Sequence, residues 1–265
     1  MVKRFCGHFQ NMRAGNITPD DVRAYLATLK GRDGKKASPR TIQDNMVALG
    51  HIFKHGVKLG RVEKNPVAAL DKPQVRAERE PATITTEDAK KILDYLTSRD
   101  GAKDLSGLCG LVLAMFCGVR PAELARMRFA DLFPAGREEA YLSRAITKTS
   151  VDRRARLRAN VVAWLDFAKA LGLYGAPDAF ILQGGTEKQR CEKYTGLLRR
   201  IQKKAGVVIP HDALRHTAAT MMCALDGMAE TAEELGHDVR TLQRYYRHAV
   251  PREEAMAFFS IFPPL

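Results

Sequence analysis

The sequence predicts a mainly α-helical chain with a small β-sheet, divided into two domains, and three observations carry that prediction. Capped segments with apolar residues at three- and four-residue spacing recur along the whole chain. Two short stretches, 140–147 and 154–157, read as strands around a turn near Lys148–Asp152. Residues 71–82, DKPQVRAEREPA, are charged, hold two prolines and lack an apolar period, which marks a domain boundary near residue 80. The expected division is a helical domain over 1–75, a linker over 76–82 and a mixed domain over 83–265.

The first helix signal is Thr18, an N-cap followed by Pro19 and by Asp20 and Asp21 in the first turn. Val22, Tyr25, Leu26 and Leu29 then repeat at helical spacing. A basic, glycine-containing loop follows from Lys30 to Ala37. Ser38-Pro39 opens a second helix, with Ile42, Met46, Leu49, Ile52 and Phe53 as its stripe; Gly56 and Gly60 are expected to break it, and Asn65-Pro66 marks a turn. Beyond the linker, Thr85 with Asp88 forms a weaker capping box ahead of Ile92, Leu93 and Leu96. Leu108–Cys117 is nearly all apolar and reads as a buried helix. Val161–Leu171 has Trp164, Leu165, Ala168 and Leu171 on one face. Further helices are expected over 197–204, 213–225, 231–235, 241–246 and 253–259.

The composition sets the class. The chain has 265 residues and a formal net charge of +13, with 45% hydrophobic and 28% charged residues, so it can build a core and is neither collagen-like nor disordered throughout. Its apolar runs are too short for a membrane-spanning helix, and its first residues lack the apolar core of a secretory signal. Five cysteines, at 6, 109, 117, 191 and 223, contain no C-x-x-C pair and suit buried free thiols in a reducing cytoplasm. Residues 1–80 carry 16 Lys and Arg against 8 Asp and Glu, so the positive excess is densest there. Such an excess is the electrostatic footprint of a nucleic-acid partner, with a solvated basic surface as the plain alternative.

Three segments carry chemistry. FCGVRPAELARMRFADL places Arg120 after an apolar helix and a glycine. HDALRHTAATMM places His211 and Arg215 four residues apart, a spacing expected to put both on one helical face. ELGHDVRTLQRYYRHAV places Tyr246 nine residues after His237. In this order, Gly118-Val119-Arg120, His211-Asp212-Ala213-Leu214-Arg215, Leu235-Gly236-His237 and Tyr246 resemble the boxes of the tyrosine recombinases, the phage-integrase family. The wider resemblance runs from about Asn16 to the C-terminus. Residues 17–66 resemble the family's helical core-binding domain, and TITTEDAKKIL resembles the start of its catalytic domain, of the DNA breaking-rejoining type. The given sequence begins close to that core-binding domain, so the arm-site domain of many phage integrases is not expected within it.

The resemblance implies a site-specific DNA recombinase, the integrase of a phage or other mobile element, whose two domains hold duplex DNA in a basic clamp. Tyr246 is then the nucleophile that forms a 3′-phosphotyrosyl link. Arginine is a planar, always-charged fork that matches two phosphate oxygens, so Arg120 and Arg215 would clamp the scissile phosphate. His211 is the candidate base and His237 a hydrogen-bond donor to the phosphate. The family's acid for the 5′ oxygen is a hairpin lysine, and Lys148 lies in the expected hairpin. Tyr245 competes with Tyr246, which the spacing from His237 and the following Arg247 favour. His216 is assigned a structural hydrogen bond, and Glu123 a structural pairing with a basic side chain. The expectation includes no cofactor and no metal, four protomers on two DNA sites, possible accessory DNA-bending proteins, and a cytoplasmic, nucleoid-associated place of action. The apolar tail from Glu253 onward is expected to dock on a neighbouring protomer or on its own domain. The rival readings are a type IB topoisomerase, and a DNA-binding regulator without catalysis.

Overall fold

The structure is a computed structural model, and it describes residues 2–31, 33–74, 81–148, 150–246 and 250–264. The chain forms two compact units, Met1–Arg79 and Glu80–Leu265. Of the linker expected over 76–82, residues 76–80 lie outside the described residues.

The first unit is built on α1 (Val2–His8), α2 (Pro19–Ala27) and α3 (Pro39–Lys58). Thr18 Oγ1 accepts from the Asp21 N–H at 3.2 Å, and the Asp21 carboxylate accepts from the Thr18 N–H at 2.9 Å, closing a capping box. Ser38 caps α3 through the Thr41 N–H. Val22, Tyr25, Leu26, Met46, Leu49 and Phe53 make the core, with Phe5 set edge-on to Tyr25. Ile52, assigned to the stripe, is instead exposed. α3 also continues through Gly56. A Cβ there would lie 3.0 Å from Val62 Cγ2, so this glycine admits a close neighbour and the helix ends two residues later. Cys6 is exposed, contrary to the expectation of buried thiols, while Cys109, Cys117 and Cys223 are buried.

In the second unit, Thr85 caps α4 (Thr86–Thr97), whose Ile92, Leu93 and Leu96 are buried. α5 (Leu108–Cys117) is buried at every residue and packs against α7 (Ala159–Ala170) and α9 (Ala213–Asp226). The short α6 (Pro121–Leu124) follows it. β1 (Glu139–Leu142) and β2 (Arg153–Arg156) pair antiparallel, with Leu142 opposite Arg153. Both strands are set differently from the expectation, because residues 143–148 turn away: Asp152 accepts from the Arg144 N–H at 2.5 Å, and Thr147 Oγ1 donates to the Val151 carbonyl. α8 (Glu187–Ala205) begins ten residues earlier than expected, on a capping box of Thr186 and Gln189. Its first turns, EKQRCEKYTG, are too polar to show an apolar stripe. Leu171 lies past the end of α7 and is exposed.

α10 (Met228–Leu235), α11 (Val239–Tyr245) and α12 (Arg252–Phe259) complete the chain. The tail packs on its own unit. Ala255, Phe258 and Phe259 are buried, the Phe258 ring lies 5.0 Å from Phe116, and Trp164 Nε1 donates to the Ile261 carbonyl at 2.9 Å. Among the described residues no helix is long and apolar enough to cross a membrane.

Candidate active site

The site is assembled where α5, α9 and α10 end or begin. Gly118 closes α5 in the left-handed region, at φ +61°, and its missing side chain leaves room for Leu235 and Ala218. Two residues later Arg120 stands at the N-terminus of α6, held by Glu123: the Arg120 N–H donates to Glu123 Oε2 at 3.0 Å and Nη1 to Oε1 at 3.2 Å. Glu123 is 1% exposed and also accepts from Arg153 Nη2 at 2.6 Å. Burial raises its carboxyl, but Arg153, the Arg120 N–H, Arg215 and Arg120 outweigh that and hold it below the ordinary range.

Arg215, on the first turn of α9, is buried. Its guanidinium donates to the Gly118 carbonyl, to the Leu235 carbonyl at 2.6 Å and to His237 Nε2 at 2.8 Å. Arg120 Nη2 reaches the same His237 nitrogen at 3.2 Å. Gly236, at φ +61°, turns the chain so that His237 faces both arginines. A guanidinium can only donate, so Nε2 accepts and the neutral ring carries its proton on Nδ1, which is buried without a hydrogen-bond partner. Burial, then Arg215, Arg120 and Arg153, press the imidazole down to about 3. Burial, then Arg120 and Arg153, lower Arg215 to about 9.

Tyr246 closes α11 and is 5% exposed. Burial pushes its phenol up to about 12, against the opposing pull of the Arg215 and Arg120 charges. Its hydroxyl lies 2.6 Å from His216 Nδ1, on α9. Tyr245 is half-buried, with Arg244 over its ring. Arg247, which helped to favour Tyr246, lies outside the described residues.

The expected residues therefore divide. Arg120, Arg215 and His237 converge, and Tyr246, at the end of α11, meets His216 on the helix that carries Arg215. His211 does not join them. Its side chain is 95% exposed, with Nδ1 3.2 Å from Asp212 Oδ2. The spacing argument placed His211 and Arg215 on one helical face, but α9 starts at Ala213 and Asp212 adopts φ +57°, which takes His211 off the helix. Lys148 is exposed on the turn between β1 and β2.

Two residues carry more than the sequence reading gave them. His216 meets the phenol, and Arg153 links Glu123 to the Glu234 carbonyl at 2.6 Å. Alternation along β2 was the available signal for Arg153, since it shares the inward side with Ala155. Among the described residues no group of three or more His, Cys, Asp or Glu is placed to hold a metal ion.

Comparison with known proteins adds an independent line. Residues 82–252, more than half of the chain, match the model of the phage integrase family. Tyrosine recombinase XerC of Chromohalobacter salexigens is 27% identical over 236 residues, spanning 85% of this chain and 74% of its own length. A lambda integrase dimer bound to a COC′ core site shares the fold at a TM-score of 0.71 and 19% identity, covering 95% of this chain and 87% of that one. A lambda integrase tetramer bound to a Holliday junction gives 0.65 at 18%, with 89% and 69% covered. From the family match and the order of its boxes, this chain belongs to the phage integrase family, the tyrosine recombinases.

Proposed function

We propose that this chain is a site-specific DNA recombinase that cuts and rejoins duplex DNA through a 3′-phosphotyrosyl link to Tyr246. The convergence of Arg120 and Arg215 on a single acceptor, His237 Nε2, is the observation that carries this reading. Two donor forks aimed at one point suit an oxyanion. The extra charge on the non-bridging oxygens during attack at phosphorus is stabilised there by donors already fixed in place.

In this reading the phosphate takes the place of the imidazole lone pair between the two guanidinium groups. The Tyr246 oxygen attacks phosphorus, the bond to the 5′ oxygen breaks, and Lys148 on its exposed turn supplies the proton that oxygen needs. His211, open to solvent, serves as a donor to the phosphate once DNA is bound. A partner strand's 5′ hydroxyl then reverses the step, so the bond energy stays in the phosphodiester. Two rounds of exchange call for four protomers on two duplexes, with DNA-bending proteins as possible accessories and the nucleoid as the place of action. The two compact units correspond in this reading to a DNA-binding and a catalytic domain.

A nicked suicide duplex tests it. Wild-type protein is expected to become covalently joined to the DNA, and Tyr246→Phe to give no adduct. An adduct formed by Tyr246→Phe removes Tyr246 as nucleophile. Relaxation of supercoiled DNA that lacks any target site would point to same-strand rejoining instead.

A further inference from the structure

A phenol that attacks phosphorus must lose its proton, and in this structure the group against that proton is His216. The Tyr246 hydroxyl lies 2.6 Å from His216 Nδ1, with the two rings tilted by 38°. The phenol is almost closed to water, so bulk solvent is a poor acceptor. His211, the residue that the family resemblance nominated, faces solvent. We infer that His216 takes the Tyr246 proton as the oxygen bonds to phosphorus and returns it when the strand is rejoined. This rests on the reading of Tyr246 as the nucleophile.

The surroundings of the ring suit the task. Arg215 is its neighbour on α9, His211 and Asp212 precede that helix, His237 comes from the turn between α10 and α11, and Tyr246 from the end of α11. Burial first, then Arg215 and His211, lower the imidazole's pKa, with Asp212 opposing. The ring is thus neutral at pH 7, and its Nδ1 lone pair is free to accept from the phenol. The phenol, raised by burial, does not ionise in advance. The proton moves as the new bond forms: the O–H bond of Tyr246 breaks, its proton passes to Nδ1, an oxygen electron pair joins phosphorus, and the 5′ oxygen departs with the electrons of its old bond. Bonding to phosphorus removes the oxygen's basicity, which makes the transfer downhill. On rejoining, the imidazolium gives the same proton back to the departing phenolate.

The test needs a substrate of known sequence, obtained by trapping wild-type protein on nicked duplexes with randomised cores. Single-turnover adduct formation on the selected duplex is then followed against pH. For wild type, the rate should fall on the acid side as the His216 ring takes up a proton. His216→Gly is expected to slow adduct formation by about 10²–10⁴-fold, with recovery on adding imidazole. His216→Asn keeps an acceptor but cannot take a proton; it should be slow and lack the acid limb, while binding the duplex normally in a gel shift. His211→Ala should keep that limb. The inference fails if His216→Asn reacts at the wild-type rate with the limb intact. It also fails if His216→Gly is slow, unrescued and unchanged in pH profile, or if His211→Ala alone loses the limb. Tyr246→Phe runs alongside: an adduct there overturns the nucleophile assignment itself, separately from the base.

Discussion

Glu123 is the residue on which the arginines depend. It is almost fully buried, takes a hydrogen bond from Arg153 and fixes Arg120 through backbone and side chain. Removing its charge strands Arg153, whose side chain is 4% exposed. Breaking such a pair from one side costs about 3–5 kcal/mol, so Glu123→Gln should lower Tm clearly. The pH dependence has a definite sign. A carboxylate held below its ordinary 4.5 stabilises the fold above that value and loses the contribution as pH falls through its depressed folded value. Tm should drop in that acid range for wild type and less for Glu123→Gln. His237 acts over a different window. Between 6.5 and about 3 the unfolded chain binds a proton that the half-buried ring refuses, so stability rises with pH there. His237→Gln should flatten the Tm slope in part, since His216 shifts the same way. Arg120→Lys and Arg215→Lys each lose a two-pronged fork and should slow adduct formation by about 10²–10³-fold. Arg120, Arg215, His237 and Tyr246 could be picked out from the sequence because each sits in a recognisable box. His216 could not be: its partner lies thirty residues away, and only the fold, with α10 packed on both α9 and α11, brings them together.

At the scale of elements, caps were the most legible feature. Thr18, Ser38 and Thr85 all accept the N–H three residues on, because a short side chain at that position meets an unpaired donor whatever the tertiary context. Ends set by packing were less legible. Gly56 reads as a stop but admits Val62, and α8 hides its start in polar turns. The most demanding boundary is Gly118. A Cβ there would sit 2.7 Å from Leu235 Cδ2 on a backbone at φ +61°. Gly118→Ala combines that crowding with left-handed strain, and should cost about 1–3 kcal/mol and displace the carbonyl that holds Arg215. The hairpin gives the opposite case. Lys148 is exposed on its turn, so Lys148→Ala should leave Tm unchanged, while adduct formation slows if it is the acid for the 5′ oxygen. An unchanged rate would exclude it from that role.

For the molecule as a whole, the division near residue 80 was visible as a loss of apolar period, and the two units divide there. Where the tail docks was not, because an apolar helix states only that it needs a partner. It found one against Phe116 and Trp164. Phe258→Ala should cost about 3–5 kcal/mol, read as a lower Tm. The net charge of +13 makes a separate prediction: affinity for duplex DNA should fall steeply, linearly in log–log form, as salt rises. Binding that ignores salt would rule out a phosphate-driven grip. The seated tail also bears on the nucleophile. Only four residues separate Tyr246 from Pro251, a leash of about 17 Å at full stretch. While Phe258 stays plugged in, the phenol can travel no farther than that tether allows, so anchoring the tail and setting the reach of the cutting residue are one mechanical decision.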